Sequence, residues 1–136
     1  MTRREALEAL IARVEVGEIP GRHDFAIDAF RAEIAKAIGF VFEPRKKPFD
    51  KDIWRNKITG QGYFVGDLPG WEISIDAQAA LPGQIINVCR RWNQRWVAYC
   101  ILPNTTEEFS GHAPSEPAAR LAAHLRAMME TINDLP

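Results

Sequence analysis

Basic side chains interleaved with tryptophans are the residues of this chain best equipped for chemistry. Arg45, Lys46, Lys47, Phe49, Lys51, Trp54, Arg55 and Lys57 form one cluster, and Arg90, Arg91, Trp92, Arg95 and Trp96 form a second. Guanidinium and ammonium groups meet phosphates or carboxylates, and an exposed indole stacks on a base or fills a partner's pocket. Arg and Trp are also enriched among the residues that anchor protein interfaces. The same tryptophans could instead cover a core and leave the charges solvated. Seventeen basic against eighteen acidic residues give a formal charge of −1. That balance lacks the broad positive field of a non-specific duplex binder.

Reactive constellations are sparse. His23, His112 and His124 are far apart in sequence, with no His-Glu-x-x-His and no paired Cys-x-x-Cys. Zinc needs four ligands at compatible positions, so neither a metal nor any other cofactor is expected. Ser74 and Asp76 lie two apart on an apparently extended segment, and no Gly-x-Ser-x-Gly elbow surrounds them. Asp76 reads better as the N-cap of a helical turn over Ala77–Leu81, with Ser74 hydrogen-bonded nearby. Gly60-Gln61-Gly62 precedes a strand rather than a helix, which suits a hairpin or bulge and not a phosphate cradle. Nucleophile, base and orienter do not occur at recognisable spacing, and the expectation is a protein that is not an enzyme.

The elements that position these clusters follow from periodicity. Thr2 and Glu5 form a capping box, and Leu7, Leu10, Ile11 and Val14 make one apolar stripe of a short helix. Gly17 and Pro20-Gly21 end it. A second helix from about Asp24 to Ile38 buries Ile27, Phe30, Ile34 and Ile38, and the short link suggests an antiparallel helical hairpin. Residues 43–62 break the pattern, since Pro44 and Pro48 remove donors and bias their predecessors to extended structure. Arg45 to Gly62 holds six basic and two acidic residues, a basic excursion that is either an ordered loop or a mobile arm. Short strands are expected at Tyr63–Val65 and Trp71–Ile75, and stronger ones at Ile85–Trp92 and Trp96–Leu102. A two-residue turn would pair Arg91 with Trp96, and a three-residue loop would pair Trp92 with Trp96 and Val88 with Cys100. Neither sets Cys89 opposite Cys100, so both cysteines are expected reduced. Pro103–Pro114 reads as polar loop. A last helix follows Ser115, with Leu121, Leu125, Met128, Met129 and Ile132 inward and Arg120 and Arg126 outward.

These elements make a single domain over residues 1–136. Its expected class is α+β: a small antiparallel sheet of three to four strands layered with an N-terminal helix pair and a C-terminal helix. The longest uncharged run, Ala77–Cys89, has 13 residues, short of the roughly 20 needed to span a membrane. The first residues carry acids where a secretory signal has its apolar run. No membrane association is expected. Self-pairing through an exposed strand edge stays open.

Three segments also carry a likeness. Leu7-Glu8-Ala9-Leu10-Ile11-Ala12-Arg13-Val14-Glu15, Ser74-Ile75-Asp76-Ala77-Gln78-Ala79-Ala80-Leu81-Pro82 and the alanine-rich helix after Ser115-Glu116-Pro117 resemble the phage ABA sandwich domain. That family comprises small phage and prophage proteins of alpha-beta-alpha architecture, largely without assigned activity. Gln78 stands where a second Ala is usual, and Arg45–Gly62 has no counterpart. The resemblance implies a phage or prophage origin and a layered fold. The first functional expectation is a non-enzymatic accessory protein in the cytoplasm of a bacterial host. It would dock a host or phage protein and, by analogy alone, inhibit a defence component. Its contact residues would be Arg45, Lys46, Lys47, Trp54, Arg55, Lys57, Arg90, Arg91, Trp92 and Arg95. The alternative is a small-ligand protein holding a nucleotide or nucleic acid against the Trp and Arg side chains of the hairpin tip.

Overall fold

The computed structural model describes residues 2–21, 23–57, 59–91, 93–103 and 105–131. In chain order these form α1 (Arg3–Val16), α2 (Ala26–Ala37), β1 (Phe40–Glu43), β2 (Ile53–Asn56), β3 (Gly62–Phe64), a 3-10 turn (Val65–Asp67), α3 (Ile75–Gln78), β4 (Gln84–Arg90), β5 (Trp96–Ile101), β6 (Glu108–Ala113) and α4 (Glu116–Thr131). The fold is α+β, and its strands are divided between two antiparallel sheets, ordered β1-β2-β3 and β4-β5-β6. The chain splits into two compact units, Met1–Ile19 with Gly70–Pro136, and Pro20–Pro69. Helices α1 and α2, expected as one hairpin, are instead shared out between the units, each with packing partners inside its own.

In the first unit α4 lies on the β4-β5-β6 sheet, and α1 packs against α4 and β6. The α1 start matches its sequence, with the Glu5 amide donating to Thr2 Oγ1 at 3.1 Å, and Leu7, Leu10, Ile11 and Val14 are buried. Gly17 ends the helix at φ 82°, where its conformation favours glycine, as the Glu18 amide reaches back to Arg13 O at 2.9 Å. Helix α4 buries Ala118, Ala119, Ala122, Ala123 and Ala127 beside Leu121, Leu125 and Met128. Those small side chains bring the helix so near the sheet that a Cβ on Gly111 would sit 2.3 Å from Ala123 N and 2.4 Å from Ala119 O. Glycine is required there by contact with backbone, which cannot yield as a flexible side chain does.

Several local readings are corrected in this unit. Residues Glu108–Ala113, expected within a loop, form β6 and pair along β5 from Trp96↔Ala113 to Ile101↔Glu108. The segment has no β-branched residue, so propensity left it unmarked, and pairing with β5 and packing under α4 override that. Trp71–Ile75, expected as a strand, is a turn over Trp71–Ile73 that leads into α3, because the Ile73 and Ser74 amides both donate to Gly70 O at 3.0 and 2.8 Å. Ser74, not Asp76, caps α3, its Oγ accepting from Ala77 N at 3.1 Å. The hairpin follows neither expected register: Arg90 pairs with Trp96, and the Arg91 amide meets Arg95 O at 2.6 Å. Gln94, at φ 68°, supplies a left-handed residue to the turn before β5. Cys89 faces Val97, Cys100 faces Ile85, and both are free.

In the second unit α2 packs on β1 and buries Ile27, Phe30 and Ile34, while Ile38 caps the helix instead of extending it. The 43–62 stretch contains β2 and the ends of β1 and β3, so the expected excursion carries the middle strand of a sheet between its two loops. Its register is Phe42↔Trp54↔Tyr63 and Glu43↔Ile53↔Phe64. Because side chains alternate, Phe40, Phe42, Trp54 and Tyr63 share one face, and Val41, Glu43, Ile53, Arg55 and Phe64 share the other. Phe40, 6% exposed, marks the packed face, where its ring lies 5.8 Å from Tyr63 and Phe42 lies 5.4 Å from Trp54.

Candidate functional site

The open face of the β1-β2-β3 sheet carries the most distinctive surface. Val41 and Phe64 on it are exposed, and Phe49 on the loop after β1 is 99% exposed. A groove of about 940 Å³ runs between Val41, Glu43, Ile53 and Phe64 on the sheet and Arg45, Lys46, Phe49 and Lys51 on the following loop. A second hollow of about 350 Å³ shares Arg45, Asp50, Lys51 and Phe64 with it and continues to Asp67. The cations here divide into two sets. Arg55 Nε donates to both Glu43 carboxylate oxygens at 3.2 and 3.0 Å and its Nη1 to Gly60 O at 3.0 Å, while Lys57 Nζ reaches Glu43 at 2.7 Å. Bonding from Lys57 and then Arg55 holds the Glu43 carboxyl below its usual range. Arg45, Lys46 and Lys47 are exposed, and their side chains have no ion-pair partner among the described residues. Lys51 Nζ lies 5.0 Å above the Phe64 ring. Of the expected contact residues, Arg45, Lys46 and Lys47 are therefore available. Arg55 and Lys57 are engaged within the sheet, and Trp54 is half-buried against Phe42.

In the hairpin cluster of the first unit Arg90 and Arg91 are exposed and Arg95 and Trp96 half-buried, and each arginine is bonded within the fold. Arg95 Nη2 donates to Glu15 O at 2.5 Å and to His112 Nδ1 at 3.0 Å. Arg90 bonds Gln94 and lies 5.9 Å over the Trp96 ring, and Arg91 Nη2 reaches the Tyr99 hydroxyl at 3.2 Å. Trp92 falls outside the described residues. Beneath this hairpin is a network that sequence reading missed. Arg126, expected to face outward, donates to both oxygens of the buried Glu15 carboxylate and to Ser110 O at 2.8 Å. The His112 amide adds a bond to Glu15 Oε2 at 3.2 Å. Burial pushes the Glu15 carboxyl up, but the bonds from Arg126 and from the His112 backbone amide, with the Arg126 charge, outweigh it and its pKa falls. No local spacing signals this cluster, since its members lie at positions 15, 95, 112 and 126.

Groups with reactive potential are occupied structurally. His124 is buried, and its Nδ1 lies 2.9 Å from Pro82 O. A carbonyl can only accept, so Nδ1 carries the proton. Cys100 Sγ sits 3.9 Å from that nitrogen, and burial raises the thiol to about 11. Burial also lowers the His124 pKa, so this pair holds neither thiolate nor imidazolium at neutral pH. Ser74 Oγ is taken by the α3 cap. Among the described residues no group of three or more His, Cys, Asp or Glu side chains is placed to hold a metal ion. None of their helices is long and apolar enough to cross a membrane. Compared with known proteins, the chain matches no family model, no curated protein and no solved structure.

Proposed function

We propose that this chain is a non-enzymatic binding protein that docks a protein partner through residues 20–69. The observation that carries this reading is the contrast in charge use. Arg95, Arg126, Arg55 and Lys57 are bonded within the fold, whereas Arg45, Lys46 and Lys47 stand exposed beside an apolar groove. A rim of free cations around apolar side chains suits a protein surface of opposite charge. The likeness to phage ABA sandwich proteins supports a phage- or prophage-encoded accessory acting in the host cytoplasm, where restraining a defence component is one task open to it. The nucleotide alternative is weaker, because the hairpin arginines that would hold a phosphate already bond Gln94, Tyr99, Glu15 O and His112.

Capture from bacterial lysate, compared between wild type and the R45E/K46E/K47E variant, tests the reading. The variant is expected to lose a partner that wild type and R90E/R91E both retain, with its melting temperature unchanged. Equal capture by the wild type and the triple variant rules the assignment out.

A further inference from the structure

We infer that the occupant of the groove is an extended, acidic peptide segment that adds as a strand beside β1. The inference rests on the binding role proposed above and specifies its chemistry. Three observations converge on it. First, among the described residues β1 pairs with β2 alone, so one edge of its backbone carries no strand. Second, Val41, Phe42 and Glu43 all line the groove, although successive strand residues point to opposite faces. A hollow that touches three consecutive residues runs along β1 itself. Third, the walls are chemically sorted. Val41, Ile53, Phe64 and Phe49 offer apolar contact, and Arg45, Lys46 and Lys51 outnumber Asp50, the acid that lines the same groove beside the engaged Glu43.

Strand addition combines these features, because main-chain bonds supply affinity while alternate side chains are read separately. A peptide alternating apolar and acidic residues sets one series over Val41 and Ile53 and the other toward Arg45 and Lys46. The engaged state of Glu43 matters here, since Arg55 and Lys57 neutralise the one carboxylate on the sheet that would repel such a peptide. An anionic bilayer fits less well, because the site is a hollow and not a flat surface. Stacking on nucleic-acid bases fits less well too, as Trp54 lies on the opposite, packed face of the sheet.

A random twelve-residue peptide library displayed on beads and selected on the full chain tests this. Enriched sequences are expected to be rich in Asp and Glu with alternating apolar positions. The best of them should bind about tenfold more weakly to R45E/K46E and to Val41→Lys, and to lose affinity when alternate backbone amides are methylated. Amide shifts on titration should centre on residues 41–43. Enrichment without acidic bias, binding indifferent to R45E/K46E, shifts centred elsewhere, or no enrichment overturns the inference. So does binding of phosphatidylserine vesicles that the peptide cannot displace. A failed acidic bias with capture still lost in R45E/K46E/K47E removes the chemistry and leaves the binding role. Capture retained in that variant removes both.

Discussion

The two units use the same side chains in opposite ways. In the first, Arg126 and Arg95 turn inward, binding the carboxylate and the carbonyl of Glu15 and joining α1, β5, β6 and α4. In the second, Arg45, Lys46 and Lys47 turn outward around a groove whose apolar residues stay exposed. Packing explains the difference. The first unit lays a long alanine-faced helix on its sheet and buries Ala98, Cys100 and Ala113 beneath it, while Ile73, Ile75 and Ile86 stay exposed elsewhere in the unit. The second covers a three- to four-residue sheet with α2 on one face only, so Val41, Phe64 and Phe49 are left to solvent. A charged residue is structural where a buried partner awaits it and is available for recognition where none does.

Substitutions can break this comparison. The largest effect is expected for Gly111→Ala, which forces a methyl into the α4 backbone and should cost about 3 kcal/mol in denaturant unfolding of the first unit. A neutral result would mean that α4 does not seat on β6 as described. Arg126→Ala comes next. It strands the Glu15 carboxylate, and since Arg126 is one-third exposed the loss should be about 2 kcal/mol, below that of a fully buried pair. Combining it with Glu15→Gln should recover part of that loss.

Acid titration sharpens the contrast further. Glu15 binds its proton less readily folded than unfolded, so its contribution is present above about pH 4.3 and disappears as pH falls through the lower folded value. His124 is also harder to protonate when folded, so stability begins to fall below about pH 6.5 as the unfolded chain takes up that proton. Melting curves from pH 8 to 3 should show both losses, and Glu15→Gln should flatten only the lower one. The smallest effect on folding is expected for R45E/K46E/K47E, within about 0.5 kcal/mol of wild type. A large destabilisation there would show that the loop charges are structural after all.

Much of the fold was legible from local pattern. Thr2-x-x-Glu5, the 3-4 spacing of Leu7 to Val14, Gly17, Ser115 and the β5 run are short-range signals, and each element formed where its own neighbours dictated. The β6 strand was not legible, because Glu-Phe-Ser-Gly-His-Ala becomes a strand only when β5 supplies its bonds and α4 its cover. The Trp71–Ile75 segment failed in the other direction: its alternation imitates a strand, yet Gly70 O captures two amides. For the candidate site, composition located the basic stretch, and only the register separated Arg45, Lys46 and Lys47 from Arg55 and Lys57.

By itself, the amino-acid order determined helix starts and stops, the α+β class, the reduced cysteines and the position of the basic stretch, since all depend on residues within a few turns of one another. Tertiary structure alone decided which charges are sealed, which apolar side chains stay bare, and where the chain divides. Those outcomes depend on partners as far apart as Glu15 and Arg126, and a charge's role is set by the dielectric and bonding around it rather than by its place in the chain.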